Sequence, residues 1–234
     1  MIHGNNILQR TSRFSIELSN LCNLSIFHKK CPLHGVKEPK ILSEKIVFQI
    51  LNICKKYNFE GTIAYHTYNE PGIDPRLMLF INKARELLPK VEILLQTNGF
   101  YLDQNLAEEY VNHGTNIIRV SAYTGSEYER LRKIKLPISY EVIRTVLDDR
   151  LQEDIRPEIN CTKPCYAPLN EILVTNRGDI SLCCLDWKRE HVFGNLYRQK
   201  LEEILMTEKL LVTYNNLSRG RRFLSICKKC NWTR

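Results

Sequence analysis

The chain has 234 residues and a formal net charge of +8, a length that gives one or two domains and a real core. Ten glycines and nine prolines are too few for a linker-like or collagenous chain. The longest apolar run is Leu77–Ile81, far short of a membrane span. Met1–Phe14 lacks the apolar stretch of a secretory signal, so a soluble, cytoplasmic protein is expected.

Strand and helix signals alternate through the first part. Phe14–Leu18 reads as a strand. Ser43 then caps a helix with Ile46, Val47, Ile50, Leu51 and Cys54 on one face. Thr62–His66 is a second strand, and Asp74-Pro75 opens a helix bearing Leu77, Phe80, Ile81, Ala84 and Leu88. Val91–Leu95 is a third strand. Asp103 caps the next helix, which Gly114 ends. Asn116–Val120 is a fourth strand, and helices are predicted near Glu127–Lys133 and Tyr140–Asp149. Such units build a parallel sheet with right-handed crossovers. With four clear strands, an α/β fold is expected: a partial, open parallel βα barrel with a small C-terminal hairpin-plus-helix domain that binds a cluster.

Asp148–Ile159 is polar, contains Pro157 and reads as a linker. Beyond it, Glu171–Val174 and Ile180–Leu182 flank the turn signal Asn176-Arg177-Gly178, so a hairpin is predicted, followed by a helix at about Leu201–Leu211. The division is 1–12 as an extension, 13–150 as the barrel, 151–160 as the linker and 161–234 as the second domain.

Nine cysteines without an export signal point to metal or iron–sulfur ligation rather than disulfides. Cys22 and Cys31 flank a loop that also holds His28, with His34 close behind. Two thiols and an imidazole can hold a cluster and leave one iron open. The second part offers Cys165-x12-Gly178-x4-Cys183 and then Cys227-x2-Cys230, with Cys161 and Cys184 as neighbours. From spacing alone, four thiolates suit zinc as well as an iron–sulfur cluster. If they lie on a strand, adjacent Cys183 and Cys184 point to opposite faces, and one of the two is expected to ligate.

Every unusual stretch of the first part follows a predicted strand: the Cys22 loop, Tyr68-Asn69-Glu70-Pro71, Thr97-Asn98-Gly99 and Ser121-Ala122-Tyr123. Loops at the carboxyl ends of parallel strands meet at one site. Lys209, Arg219, Arg221, Arg222, Lys228, Lys229 and Arg234, with no acid among them, make the C-terminal end basic. That end is either a solvated face or an attractor of phosphate or carboxylate.

These residues resemble radical SAM enzymes with a C-terminal twitch domain, the shortened form of the SPASM domain. The resemblance runs from about residue 13 to 232. The family's Cx3Cx2C loop follows its first strand, as the Cys22 loop does. Its Gly-Gly-Glu motif resembles Tyr68-Asn69-Glu70, and its twitch spacing is met by Cys165, Gly178, Cys183, Cys227 and Cys230. Cys183-Cys184-Leu185-Asp186 and Gly194-Asn195-Leu196 resemble it too. The chain closes soon after Cys230, which implies one auxiliary cluster.

The first loop departs from the family. Ile26 stands where a second cysteine belongs, and counting back from Cys31 puts His28 in that role, as Cx5HxxC. His34, or no third ligand, remains open. Tyr68-Asn69 replaces two glycines.

The resemblance implies a 4Fe-4S cluster on Cys22, His28 and Cys31 that binds S-adenosyl-L-methionine (SAM) through its open iron. Glu70, Asn98 and Ser121 are then cofactor-binding candidates. It also implies a 5′-deoxyadenosyl radical, an auxiliary 4Fe-4S cluster on Cys165, Cys183, Cys227 and Cys230, and an electron donor such as flavodoxin or ferredoxin.

A peptide-recognition domain finds no room before the first strand. The expected substrate is therefore a small polar molecule, a sugar or cyclitol derivative, phosphorylated or nucleotide-linked if the basic end is used. No membrane or nucleic-acid partner is expected. The competing readings are a degenerate fold acting as a binding protein, a zinc-binding interaction module and a peptide-modifying enzyme.

Overall fold

The computed structural model describes residues 7–28, 31–145, 162–228 and 230. After a short helix α1 (Ile7–Arg10), the chain alternates β1 (Arg13–Ile16), α2 (Glu44–Lys56), β2 (Thr62–Ala64), α3 (Leu77–Leu87), β3 (Glu92–Thr97), α4 (Gln104–Asn112), β4 (Ile117–Ala122), α5 (Gly125–Leu131) and β5 (Ser139–Arg144). The second part contains α6 (Ala167–Asn170), β6 (Glu171–Val174), β7 (Asp179–Ser181), β8 (Val192–Asn195), α7 (Leu201–Leu205), α8 (Glu208–Arg219) and α9 (Ser225–Lys228).

The eight strands among the described residues form one open sheet in the order β5-β4-β3-β2-β1-β6-β7-β8. The strands from β5 to β6 run parallel, and β7 and β8 return antiparallel. β1 therefore lies between the barrel-like half and the hairpin half, and its carboxyl-terminal loop emerges where the two meet. Phe14, Ile16, Ile63, Ile93, Leu95, Ile118, Val120, Ile172 and Val174 are buried from strand to strand and make one core with the helices. No helix among the described residues is long and apolar enough to cross a membrane.

The helix starts follow local chemistry. The Ser43 hydroxyl accepts the Ile46 N–H and the Asp103 carboxylate accepts the Leu106 N–H, so both are side-chain caps. Two expectations are corrected. Tyr140–Arg144 is strand, not helix, because β5 pairs with β4 over six positions. There Tyr140 donates its hydroxyl to the Leu131 carbonyl at 2.9 Å, and β-branched Val142 and Ile143 fit the pleat. The rest of that predicted helix and the 151–160 linker lie outside the described residues. The Leu201–Leu211 helix is two helices, broken at Met206-Thr207, where Thr207 takes an extended backbone and starts α8.

Candidate active site

The loop between β1 and α2 is closed at its base. Ser19 and Ile41 form a bridge, the Asn20 side chain donates to the Glu38 carbonyl at 2.9 Å, and the Lys40 N–H returns to the Asn20 side-chain oxygen at 2.7 Å. Inside this ring the backbone curls. The Ser25, Phe27, His28 and Cys31 amides reach back to the carbonyls of Cys22, Leu24, Leu24 and His28. The curl turns Ile26 and Phe27 outward, 76% and 71% exposed, and leaves His28 only 4% exposed.

Cys22, His28 and Cys31 consequently line one cavity, together with Glu70, Asn98 and Ser121. Those six were all singled out from sequence. The His28 ring stands edge-on to Tyr123, which follows β4, at 5.4 Å. His34 is exposed, with its Nδ1 2.9 Å from the Ser25 carbonyl, and it does not share the cavity lining.

Hydrogen bonds fasten the strand-end loops to one another. The Glu70 N–H donates to the Leu21 carbonyl at 2.9 Å. The buried Glu70 carboxylate accepts the Thr97 hydroxyl (2.6 Å) and the Gly72 N–H (3.0 Å) on Oε1, and the Asn98 N–H (2.6 Å) on Oε2. A carboxylate offers about four acceptor positions, so one on Oε2 is still open to a ligand's ammonium. Burial pushes the Glu70 pKa up against these three bonds, which favour the charged form. Asn98 Nδ2 donates to Asn23 Oδ1 at 2.7 Å and lies 3.8 Å from Cys22 Sγ. Tyr68 and Asn69 both avoid the left-handed region, so neither position needs a glycine's conformational freedom. The Tyr68 hydroxyl donates to the Cys184 carbonyl, joining the two halves across the site.

A second clamp lies at the root of the loop. Glu17, 1% exposed, accepts the Asn176 N–H at 2.9 Å and an Arg189 N–H at 2.6 Å on Oε2. Burial raises its pKa while Arg189 opposes the rise. Nothing in the local pattern of Ile16-Glu17-Leu18 signals this pairing, and sequence reasoning missed it.

A separate cavity in the second half is lined by Cys165, Cys183, Cys227 and Cys230. Gly178, fixed in the twitch spacing, turns the β6–β7 hairpin at φ +77°, and a Cβ there would stand 2.7 Å from the Tyr197 ring. The Cys165 N–H is held by the Leu217 carbonyl of α8 at 2.9 Å. Cys184 is outside this cavity lining, although both cysteines lie beyond the end of β7, in a turn and not on a strand. Cys54 sits in the core of α2, and Cys161 lies outside the described residues. The basic C-terminal end is not one patch: Arg221 is buried against these thiols, Arg222 covers the Phe223 ring, and Lys209 donates to the Val192 carbonyl. Lys229 and Arg234 lie outside the described residues.

Burial dominates the thiol acidities. Cys22 is pushed up to about 11, with Glu70 and Cys31 adding smaller upward pushes. Cys227 is pushed up to about 12 by burial, helped by Cys165 and Cys230. Burial thus favours the protonated thiol at Cys22, Cys183 and Cys227, and a metal must displace those protons to bind. The donor sets fit iron–sulfur clusters: four sulfurs around one cavity, and two sulfurs with a buried imidazole around the other. Among the described residues no three His, Cys, Asp or Glu side chains are gathered tightly enough for a single ion.

If His28 is the third ligand, His28→Cys keeps a cluster and lowers its midpoint potential, since imidazole in place of thiolate raises it. An EPR-monitored redox titration reads this, and an unchanged spectrum and midpoint count against ligation by His28.

Residues 165–231 match the SPASM family model, an iron–sulfur cluster-binding domain. Over 231 residues the chain is 24% identical to the S-adenosyl-L-methionine-dependent 2-deoxy-scyllo-inosamine dehydrogenase of Niallia circulans, covering 94% of this chain and 92% of that one. Its fold is similar to the crystal structure of BtrN in complex with AdoMet and 2-DOIA (TM-score 0.75, 22% identity, 95% and 93% coverage). It is also similar to native anSMEcpe with bound AdoMet (TM-score 0.60, 15% identity, 95% and 86% coverage).

Proposed function

We propose that this chain, a radical SAM fold closed by a twitch-type iron–sulfur domain, is a radical SAM oxidoreductase acting on a small polar alcohol, a sugar or cyclitol derivative. The observation that carries this reading is the pair of cavities. One sits at the carboxyl edge of the sheet with Cys22, His28 and Cys31, and the other is lined by four thiols in the hairpin half. The Niallia circulans relative, named as a dehydrogenase of an amino-cyclitol, supports the substrate class.

Cys22, His28 and Cys31 would hold the first cluster, and Cys165, Cys183, Cys227 and Cys230 the auxiliary one. When bound, these clusters and SAM supply a carbon radical that removes hydrogen from the substrate and an acceptor for the remaining electron. The chain's own work is positioning. Glu70 locks the β2 loop to the β3 loop and keeps one lone pair for the SAM ammonium. Asn98 ties the β3 loop to the cluster loop, and Ser121 presents a hydroxyl from β4. The buried His28–Tyr123 contact helps cover the site and restricts water.

A neighbouring cavity of about 710 Å³, a size that takes a small ligand, shares Tyr68 with the first. Lys37, Lys40, Arg177 and Lys188 line it against Glu38 and Asp179, while Arg189, also in the lining, is paired with Glu17. This excess of cations supports a phosphorylated or nucleotide-linked substrate better than the dispersed C-terminal basic residues do. A flavodoxin or ferredoxin would supply the reducing electron.

Oxygen-free reconstitution tests the whole reading. Two clusters by iron and sulfide analysis, with SAM cleaved to 5′-deoxyadenosine under dithionite, is the expected result. One cluster without cleavage marks a degenerate scaffold, the outcome that the outward-facing Ile26 would favour. Zinc without labile sulfide marks an interaction module.

A further inference from the structure

We infer that Arg221 is a positioning residue for the auxiliary cluster and holds its reduction potential high enough to accept an electron from the substrate. The inference rests on the auxiliary-cluster reading above.

Arg221 is 6% exposed and lines the four-cysteine cavity. Its Nη1 donates to the Cys230 carbonyl at 3.2 Å and lies 3.8 Å from Cys230 Sγ, while its Nε is buried with no hydrogen-bond partner. A guanidinium keeps its charge, and leaving such a charge buried without a counter-ion is strongly unfavourable. Among the described residues no carboxylate pairs with it. Asp186, a buried acid of the same half, directs its oxygens to the Glu190 and His191 amides. The other lining residues are cysteines, Ala167, Pro168, Leu182 and Leu185. No acid among the described residues lines the cavity to balance the charge. Four thiolates on an iron–sulfur core carry net negative charge and can balance it.

The placement is built into the backbone. Gly220 turns the chain at φ +151°, where a Cβ would stand 2.6 Å from the Thr162 carbonyl oxygen. The Arg221 N–H then donates to the Lys163 carbonyl at 3.1 Å. The neighbouring Arg222 is exposed over the Phe223 ring. Two consecutive arginines thus have opposite fates, and only Arg221 is carried to the thiols.

Reduction adds one electron to the cluster, so a fixed cation and a hydrogen bond to a ligating sulfur stabilise the reduced form and raise the potential. That is the direction an electron acceptor needs.

The test is redox titration of the reconstituted full-length chain by EPR, following the signal that SAM does not perturb, in Arg221→Gln and Arg221→Lys. Iron and sulfide content is measured first, and an auxiliary site empty in the unsubstituted chain refutes the cluster reading itself. With the site loaded, Gln should lower the reduced-to-oxidised ratio at a fixed potential by about tenfold, ~59 mV for a one-electron couple. Lys, which keeps the charge, should restore most of it. A loaded Gln variant with an unchanged midpoint overturns the inference. Where Gln leaves the site empty, Lys decides: retained iron and midpoint support Arg221 as the charge partner, and a Lys variant as empty as Gln overturns it.

Discussion

Cys31→Ala abolishes SAM cleavage and leaves about four irons and four sulfides per chain, the content of the auxiliary site alone. The reason is the separation of the two cysteine sets. Cys31 is 7% exposed and lines the cavity at the sheet edge, which shares no lining residue with the four-thiol cavity. Its loss removes a ligand of the SAM-binding cluster without touching Cys165, Cys183, Cys227 or Cys230. The fold should persist, because the loop is closed at its base by Asn20, Lys40 and the Ser19–Ile41 bridge rather than by its cysteines. Formation of 5′-deoxyadenosine under dithionite, with iron counted on the same sample, gives both readings. Retained cleavage would remove Cys31 from the ligand set. Loss of all iron would show that the sites do not load independently.

The parallel half of the fold was legible because β1 to β3 are buried on consecutive positions and α2 and α4 are amphipathic and capped. Ser43 and Asp103 both cap as their positions predict. The helix expected over β5 rests on Tyr140 and Ile143 at i, i+3 spacing; pairing with β4 decides for strand, and that pairing is not visible in the local pattern. The site was legible for the same reason as the sheet. Loops after parallel strands converge, so Cys22, Glu70, Asn98 and Ser121 share one cavity although they are far apart in the chain.

What the sequence hid are the long-range polar pairs. Glu17 reads as a lone acid in an apolar strand end until Asn176 and Arg189 are brought to it. Arg221 reads as one of a basic run until Gly220 turns it inward. Glu70 read as a free ligand for SAM, and three of its acceptor positions are filled from within the chain. Each of these depends on where the turns deliver a side chain, which neither composition nor periodicity encodes.

Cys227→Ala should empty the auxiliary site and also destabilise the chain by roughly 3 kcal/mol, lowering the melting temperature by about 6–12 °C. Cys227 lies on α9, a helix of four residues, far too short to hold itself together. Leu224 and Ile226 pack only partly against the core beside it. Arg221 ties this segment to the Lys163 and Cys230 carbonyls, and Cys227 and Cys230 offer a further tie to the hairpin. A cluster bonded to Cys165 and Cys183 would supply that tie, and its binding energy would then be folding energy. The same argument fixes the control. Oxidative stripping of the clusters from the Cys31→Ala chain, where only the auxiliary site is loaded, should lower its melting temperature by a similar amount. In Cys227→Ala, stripping should change the melting temperature little. A Cys227→Ala chain with unaltered iron content and melting temperature would show that the four thiols do not share a cluster, and the hairpin half would then be held by packing alone.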